Sequence, residues 1–278
     1  MSVEKERVDQ LLVQQGLFTS REQAKRAVMA GQILGLNEER LDKPGQKIPV
    51  TTELHFKGEP LPYVSRGGLK LAKAIEAYHL DLKGKNVLDI GSSTGGFTDV
   101  SLQNGASHVY ALDVGTNQLA WKLRIDDRVT VMENTNFRYT KLADFTDGRP
   151  SFATIDVSFI SLALILPPLA EILAEGDQVV SLIKPQFEAG REKVGKHGLI
   201  KDPAVHQEVL EKTVAMMLAD GFSVEHLTFS PIKGGQGNIE FLAVLKREQE
   251  PKLDPAIKID GLVAAAHGQL DQKAGSNS

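Results

Sequence analysis

Residues 86–98 read NVLDIGSSTGGFT, a short apolar run followed by a glycine-rich segment. The apolar run does not alternate with polar residues, which is typical of a strand covered on both faces of a parallel sheet. A glycine-rich turn between a first strand and a first helix is where doubly wound sheets bind ligands. The stretch therefore predicts an α/β fold with a ligand site at the end of its first strand.

Further apolar runs of the same kind follow along the chain. They are HVYALDV at 108–114, VTVM at 129–132, FATIDV at 152–157 and QVVSLI at 178–183, with two more strands near 222–229 and 239–245. Because strands and helical segments alternate, the pattern predicts a mainly parallel sheet between layers of helices.

The first sixty residues have a different pattern. Apolar residues recur at helical intervals over residues 4–30, with a break at Gly16, which predicts two helices joined by a turn. Ser20 followed by Gln23 fits a capping box at the start of the second helix. Short strand-like segments follow at 32–34, 46–50 and 54–56, so we predict a small α+β domain.

Residues 58–62, GEPLP, predict a stiff connector, because each proline restricts itself and the residue before it. We therefore expect the small domain at 1–60, the α/β domain at 61–247 and a C-terminal tail at 248–278. The tail loses apolar periodicity and ends in QKAGSNS, so we expect it to be poorly ordered.

Composition excludes several kinds of site. The 278 residues contain no cysteine, which excludes disulfides, thiolate zinc sites and cysteine nucleophiles. The histidines are scattered, so we assign no metal site. No apolar run approaches the roughly 20 residues that cross a bilayer, and the charged N-terminus is unlike a signal peptide, so we expect a cytoplasmic protein. A net charge of −4 means that any RNA binding depends on local basic patches.

The glycine-rich turn has a composition suited to an adenosine cofactor. Its spacing matches neither G-x-G-x-x-G nor a P-loop. Asp113, at the end of the second strand, is placed to accept hydrogen bonds from both ribose hydroxyls, and this combination favours S-adenosylmethionine. The candidate cofactor residues are Asp89, Gly91, Ser93, Gly95, Gly96, Phe97, Thr98, Asp113 and Asn136. The alternatives are a glycine turn that only packs a helix on a strand, and an ordinary surface loop at Asn136.

Four ionisable residues lie near strand ends or helix starts, and we expect them to meet in one crevice at the carboxyl edge of the sheet. They are Lys70, Asp156, Lys184 and Glu240. A ribose hydroxyl needs a base to withdraw its proton, and two neighbouring lysines would lower each other's affinity for a proton. We expect Lys184 to be the base, Lys70 to bind the target ribose, Asp156 to orient Lys184, and Glu240 to complete the network. Taken singly, each is as well explained as a solvated charge.

Basic side chains suggest where RNA would bind. Arg21, Lys25 and Arg26 form a stripe on the second helix that can neutralise phosphates, although a solvated helix face explains them as well. Arg66 precedes Lys70 by one turn if residues 66–77 are helical, and we expect it to guide a phosphate toward the crevice. Residues 188–201 form a long polar loop that we interpret as a substrate lid, with a plain surface insertion as the alternative.

Five motifs carry a resemblance to a known family. They are YVSRGGLK at 63–70, DIGSSTGGFT at 89–98, IDVSFIS at 155–161, KPQFE at 184–188 and GNIE at 237–240. Residues 63–245 resemble an FtsJ-type RNA ribose methyltransferase domain, and residues 4–60 resemble an S4 RNA-binding domain. The two in this order resemble the TlyA family.

The resemblance implies a Rossmann-like, S-adenosylmethionine-dependent methyltransferase domain with an N-terminal S4 domain. It implies 2′-O-methylation of ribosomal RNA on cytidine, a Lys-Asp-Lys-Glu tetrad, and ribosomal RNA or a ribosomal subunit as partner. The family's hemolysin name suggests an alternative, a membrane-active protein, although we expect no stable membrane partner. A second alternative is an RNA-binding ribosome-assembly factor without catalysis. The sequence does not indicate the oligomeric state.

Overall fold

The structure is a computed structural model that describes residues 4–18, 20–35, 39–57 and 61–275. The chain divides into two compact units, Met1–Pro62 and Tyr63–Ser278, so the division falls two residues after the boundary expected from the sequence. Part of the predicted connector, residues 58–60, lies outside the described residues. Across the described part of the chain, no helix is both long and apolar enough to cross a membrane.

The N-terminal unit contains two helices and five short strands in the residues described. In chain order they are β1 (Lys5–Arg7), α1 (Val8–Gln14), α2 (Arg21–Met29), β2 (Ile33–Leu34), β3 (Arg40–Leu41), β4 (Lys47–Pro49) and β5 (His55–Phe56). Strand β1 pairs antiparallel with β4, and β3, β2 and β5 form a second antiparallel sheet in that order. Apolar residues of α1, α2 and the strands form its core, among them Val8, Leu12, Val28 and Ile33.

The first helix begins later than the sequence predicts. Helical spacing suggested a helix from residue 4, but residues 5–7 are extended and pair with β4. Pairing with a partner strand satisfies backbone groups that a single helical turn would leave free, so tertiary contacts override the local pattern. The second helix begins where predicted, because the Ser20 hydroxyl accepts a hydrogen bond from the Gln23 N–H at 3.3 Å.

The second unit is built on a seven-stranded sheet. Its strands are β6 (Asn86–Ile90), β7 (His108–Leu112), β8 (Val129–Met132), β9 (Phe152–Ile155), β10 (Gln178–Ile183), β11 (Phe222–Phe229) and β12 (Phe241–Arg247). The order across the sheet is β11-β12-β10-β9-β6-β7-β8, and β12 runs antiparallel to both of its neighbours. The other neighbouring pairs are parallel, as predicted.

Helices cover both faces of this sheet. They are α3 (Gly68–Tyr78), α4 (Gly96–Gln103), α5 (Trp121–Arg124), α6 (Leu166–Ile172), α7 (Pro185–Glu188), α8 (Pro203–Ala219) and α9 (Ile259–Gly275). Successive residues of β6 show the layering, because Val87 and Leu88 are both fully buried and belong to apolar clusters on opposite faces. This double burial explains why the strands read as continuous apolar runs.

Two strands end two residues earlier than predicted, and one strand begins two residues later. Strand β7 ends at Leu112 and β9 ends at Ile155, so Asp113 and Asp156 lie in the loops that follow. Strand β12 begins at Phe241, so Glu240 precedes it rather than lying within it. The polar residues of interest are thus on loop positions held by strand ends, where side chains can face a cleft.

The prediction of a poorly ordered tail is wrong for most of the tail's described residues. Leu253 forms a bridge with Val224 of β11, and α9 contributes Val263, Ala266 and Leu270 to the core. These three buried residues recur at helical spacing, a signal that the surrounding small and polar residues obscure.

Candidate active site

The loop after β6 brings its backbone unusually close to the loop after β9. Gly91 has φ +86°, and a Cβ at this position would lie 2.7 Å from the carbonyl oxygen of Asp156. Any side chain here would push the two loops apart. The contact follows from the sheet register, because Ile90 and Ile155 are paired neighbours at the ends of β6 and β9.

Gly96, the first residue of α4, makes a second close approach. A Cβ there would lie 2.4 Å from the Ser65 hydroxyl and 2.9 Å from the Gly68 nitrogen. The start of α3 therefore lies directly against the start of α4. This packing places Lys70, in the first turn of α3, beside the glycine-rich loop.

Asp89 lies beneath the loop and faces no cleft. Its carboxylate is fully buried and accepts hydrogen bonds from the hydroxyls of Thr98 at 2.6 Å and Thr154 at 3.0 Å. Burial raises the pKa of Asp89 to about 6, and the two hydroxyls only partly offset it. The arrangement ties β6 to α4 and β9 rather than exposing a carboxylate to a ligand.

Asp113 forms hydrogen bonds that hold the glycine-rich loop in place. Its two carboxylate oxygens accept hydrogen bonds from the backbone N–H groups of Ser93 at 2.8 Å and Gly115 at 2.7 Å. Asn136 is similarly engaged, because its side-chain oxygen accepts a hydrogen bond from the Arg138 N–H at 3.2 Å. Direct contact of either residue with a cofactor stays a prediction.

A cleft of about 1080 Å³ opens at the carboxyl ends of the parallel strands. Its wall includes nine residues predicted for the site: Arg66, Lys70, Gly91, Ser93, Gly96, Phe97, Asp156, Lys184 and Glu240. Five other candidates are not part of this wall: Asp89, Gly95, Thr98, Asp113 and Asn136. The helix that carries Arg66 in the prediction begins only at Gly68, so Arg66 lies in the preceding turn and is exposed.

The register of the sheet brings the ionisable residues together. Ile183 pairs with Phe241, so Lys184 and Glu240 are adjacent at one end of β10 and β12. Asp156 follows the neighbouring strand β9, and its N–H donates to the carbonyl of Ile90 at 3.0 Å.

The four side chains form one continuous chain of contacts. Lys70 Nζ lies 2.6 Å from Glu240 Oε2 and 3.5 Å from Asp156 Oδ2. Lys184 Nζ lies 2.6 Å from Asp156 Oδ1. Lys70, Lys184 and Glu240 are buried, and Asp156 is partly exposed. The predicted convergence of these residues is therefore present in the structure, although their roles are not tested by it.

The two lysines differ in their surroundings. Burial lowers the pKa of Lys70, but the negative charges of Asp156 and Glu240 outweigh it, and the pKa is raised above its ordinary value. The expectation that each lysine makes the other easier to deprotonate is therefore wrong for Lys70. Lys184 is the lysine with a single carboxylate partner among the described residues.

Sequence reasoning missed several polar and aromatic residues in the same wall. Ser158 accepts a hydrogen bond from Lys184 Nζ at 3.0 Å. Phe159 is 91 % exposed with φ +64°, and its ring lies 5.1 Å from that of Phe187. Glu188 accepts hydrogen bonds from the Ser161 hydroxyl at 2.6 Å and the Leu162 N–H at 2.9 Å. The IDVSFIS and KPQFE motifs contain Ser158, Phe159 and Phe187, but an uncharged side chain gives no ionic signal in a sequence.

The polar loop at 188–201 lines the cleft with Gly190, Arg191, Val194, His197 and Gly198. It is not a plain coil, since it contains two 3-10 turns at Arg191–Lys193 and Lys196–Gly198. The buried Asn238 side chain fixes it, accepting from the Ile200 N–H at 3.0 Å and donating to the Gly198 carbonyl at 2.9 Å. The loop therefore has an ordered geometry next to the tetrad, and its role as a lid stays a prediction.

The predicted basic stripe lies on α2 of the other unit. Arg21 contacts the buried carboxylate of Asp9 at 3.1 Å, so part of its charge is used within the fold. Lys25 lies 3.8 Å from Glu22, and Arg26 is exposed. The stripe is thus present, but Arg21 has a structural partner that the sequence did not indicate.

Comparison with known proteins agrees with this architecture. The profile of the FtsJ-like methyltransferases matches residues 63–247, and that of the S4 domain matches residues 6–54. The FtsJ-like family uses S-adenosylmethionine, which supports the predicted cofactor.

Individual relatives align over nearly the whole chain. A Bacillus subtilis protein named "Putative rRNA methyltransferase YqxC" is 57 % identical over 276 residues, covering 98 % of each chain. The "16S/23S rRNA (cytidine-2'-O)-methyltransferase TlyA" of Mycobacterium tuberculosis is 38 % identical, covering 96 % of this chain and 97 % of that protein.

One solved structure, titled "Putative hemolysin from Streptococcus thermophilus", is 58 % identical and covers 99 % of this chain and all of that one, with a TM-score of 0.80. The predicted fold class and family are confirmed. The chain belongs to the TlyA family, in which an S4 domain precedes an FtsJ-like methyltransferase domain.

Proposed function

We propose that this protein transfers a methyl group from S-adenosylmethionine to a ribose 2′-hydroxyl of ribosomal RNA, on cytidine. The observation that carries the proposal is the unbroken chain of two lysines and two carboxylates in the wall of a cleft beside the glycine-rich loop. The printed name of the mycobacterial relative, a 16S/23S rRNA (cytidine-2'-O)-methyltransferase, supports the choice of substrate.

The residues around the loop fit the cofactor. Gly91 has no side chain and a left-handed backbone, so the loop leaves room at the cleft, and Ser93, Gly96 and Phe97 line the same wall. When bound, S-adenosylmethionine supplies an electrophilic methyl group on a positively charged sulfur. We assign the binding of its ribose hydroxyls to Asp113, which retains acceptor capacity beyond its two backbone contacts.

Lys184 is the proposed base. A 2′-hydroxyl is a weak nucleophile until its proton is withdrawn, and a neutral amine at the site can take that proton while the oxygen bonds to the methyl carbon. Asp156, 2.6 Å away, stabilises the ammonium that forms. Lys184 suits this role better than Lys70, because Lys70 contacts two carboxylates and its pKa is raised.

Lys70 and Glu240 have a complementary role in the proposal. The raised pKa keeps Lys70 positively charged, so it can donate a hydrogen bond to a ribose oxygen and hold the nucleotide. Glu240, at 2.6 Å, compensates the charge of this buried lysine. Positioning of the two reactants then supplies much of the rate acceleration.

The N-terminal unit supplies affinity for RNA in this proposal. Lys25 and Arg26 on α2 present charge that can neutralise phosphates, and Arg66 does the same at the cleft. The partner is ribosomal RNA, either free or within a ribosomal subunit.

The direct test uses ribosomal RNA and ribosomal subunits from cells that lack the protein. Purified protein and methyl-labelled S-adenosylmethionine are added, and methylated sites are mapped by their resistance to alkaline cleavage, which needs a free 2′-hydroxyl. We expect labelled cytidine that resists alkali, with Lys184→Ala abolishing it. Lys212→Ala serves as a control, because this lysine lies on α8 and contacts only Glu208 among the residues described. Label on a base, or full activity of Lys184→Ala, would contradict the proposal.

A further inference from the structure

Lys184 Nζ lies close to two oxygen atoms among the described residues, one in an ion pair and one in a hydrogen bond. Asp156 Oδ1 lies at 2.6 Å and the Ser158 hydroxyl at 3.0 Å. Ser158 is exposed and lines the same cleft as the four charged residues. The hydroxyl is therefore placed between the proposed base and the space that a substrate would occupy.

The hydrogen bond from Lys184 to Ser158 limits the directions in which a neutral lysine nitrogen can point its lone pair. A neutral lysine nitrogen carries one carbon, two hydrogens and one lone pair in a tetrahedral arrangement. If one N–H donates to Asp156 and the other to Ser158, the lone pair is the single direction left for a substrate proton. Without Ser158, the amine can rotate about its Cε–Nζ bond, and the lone pair loses its fixed direction.

The loop that carries Ser158 is fixed at both ends. At its start, the Asp156 N–H donates to Ile90 at 3.0 Å. At its end, Glu188 accepts hydrogen bonds from Ser161 and Leu162 at 2.6 and 2.9 Å. Phe159, next to Ser158, has a left-handed backbone, which a non-glycine residue adopts only when its surroundings require it. Such a loop can hold a hydroxyl in one place.

We propose that Ser158 is a positioning residue, whose hydroxyl directs the lone pair of Lys184 toward the ribose hydroxyl. This inference rests on the proposed function of Lys184. The step balances: the lone pair of Lys184 takes the proton as the ribose O–H bond breaks, and the ribose oxygen bonds to the methyl carbon. The bond between that carbon and the sulfur of the donor breaks at the same time, and its electrons leave on the neutral thioether. Lys184 ends as an ammonium that donates to Asp156, Ser158 and the methylated product.

The test measures steady-state kinetics on ribosomal RNA from cells lacking the protein. We expect Ser158→Ala to lower kcat about tenfold, a typical penalty for a misaligned catalytic group, while KM for RNA and for S-adenosylmethionine stays within about twofold. Ser158→Thr keeps the hydroxyl, and its extra methyl has room on an exposed position, so it should restore most of kcat.

Ser151→Ala is the matched control. Ser151 and Ser158 flank β9 at opposite ends, and only Ser158 lies in the cleft wall. Wild-type kcat in Ser158→Ala, an effect on KM alone, or failure of Ser158→Thr to restore the rate would each overturn the inference. These results are separable from failure of the proposed function, which would appear as activity in Lys184→Ala itself.

Discussion

Two aspartates in this chain each contact two cationic side chains, one in each unit. Asp9 lies 2.9 Å from Arg7 and 3.1 Å from Arg21, and Asp156 lies 2.6 Å from Lys184 and 3.5 Å from Lys70. The Asp9 side chain is 0 % exposed, whereas that of Asp156 is 19 % exposed in an open cleft. The partners also differ, because an arginine remains charged at any physiological pH and a lysine can lose its proton.

This difference separates the ion cluster of the N-terminal unit from the cluster that we propose to be catalytic. The hydrogen bond from Arg7 is the largest cause, and together with the weaker effects of Arg21 it outweighs burial, so the pKa of Asp9 is lowered. In the cleft, the second carboxylate, Glu240, pairs with Lys70, whereas Lys184 has Asp156 as its single carboxylate partner among the described residues.

We expect the largest effect when Lys184 is replaced by arginine, the residue type that pairs with Asp9 in the other unit. Lys184→Arg keeps the positive charge beside Asp156 but cannot serve as a base. We expect methylation to fall by about 10³-fold or more, near the upper range of general-base contributions, with thermal stability nearly unchanged. Lys212→Arg on α8 is the matched control. A Lys184→Arg variant with appreciable activity would show that the group acts only through its charge.

Removing the second carboxylate should have the next largest effect. Glu240→Gln keeps the shape but removes the charge that lies 2.6 Å from Lys70. We expect the pKa of Lys70 to fall and the methylation rate to drop about 10²-fold, since this buried charge has lost the nearer of its two carboxylate partners. Glu248→Gln, at the other end of β12, contacts Lys246 and Ser223 and should leave the rate unchanged. Equal rates for both variants would remove Glu240 from the mechanism.

Asp89 extends the comparison to a buried aspartate whose hydrogen-bond partners are neutral groups of Thr98 and Thr154. Its pKa is raised to about 6 from 3.8, so the folded state binds more protons between these values and stability falls as pH rises through that window. Above pH 6 the penalty is on the order of 3 kcal/mol. Asp89→Asn should flatten the stability profile between pH 4 and 6 and stabilise the fold at pH 7, as measured by chemical denaturation. A profile identical to wild type would contradict this assignment.

A substitution in the N-terminal ion cluster should change the stability of that unit and not the rate of methylation. Arg21→Gln leaves buried Asp9 with Arg7 alone, and we expect a loss of about 1–3 kcal/mol in the unfolding free energy of that unit. Once saturated with RNA, the variant should methylate at the normal rate. Lys25→Gln on the same helix is the control, with stability unchanged. A stable Arg21→Gln variant would show that Asp9 needs only one arginine.

The smallest effect should come from the exposed part of the same helix. Lys25→Glu combined with Arg26→Glu spares the Arg21 contact with Asp9, so the fold is kept while two charges are reversed. We expect RNA affinity to fall several-fold and the salt dependence of binding to weaken by about one to two ion equivalents. Lys212→Glu, on the other unit, is the control for a charge reversal outside α2. An unchanged salt dependence would remove α2 from the RNA interface.

The sequence predicted the sheet and the meeting of the four charged residues for a physical reason. Parallel strands share a carboxyl edge, so Asp156 after β9 and Lys184 after β10 lie at the same edge as the glycine-rich loop after β6. Lys70 comes to this edge on α3, whose start packs against the start of α4. The motif containing Glu240 placed it near the last strand, and the antiparallel register of β12 then set it beside Lys184.

Other features depend on contacts between distant residues, and local patterns do not contain them. Strand β1 forms because β4 is available to pair with it. Helix α9 is held by a buried stripe in a segment whose composition looks unstructured. The hydrogen bonds from the Ser93 N–H to Asp113 and from Lys184 to Ser158 depend on loop geometry, which residue spacing in the sequence does not specify.

The position of β12 in the sheet affects how the domain folds during synthesis. This strand inserts between β10 and β11 although it is the last of the seven in the chain, and Glu240 arrives with it. A polypeptide still being synthesised can assemble three of the charged residues, but Lys70 lacks its nearest counterion until residue 240 is in place. Chains that end before residue 240 therefore lack both the pairing of β10 with β12 and the carboxylate nearest to Lys70.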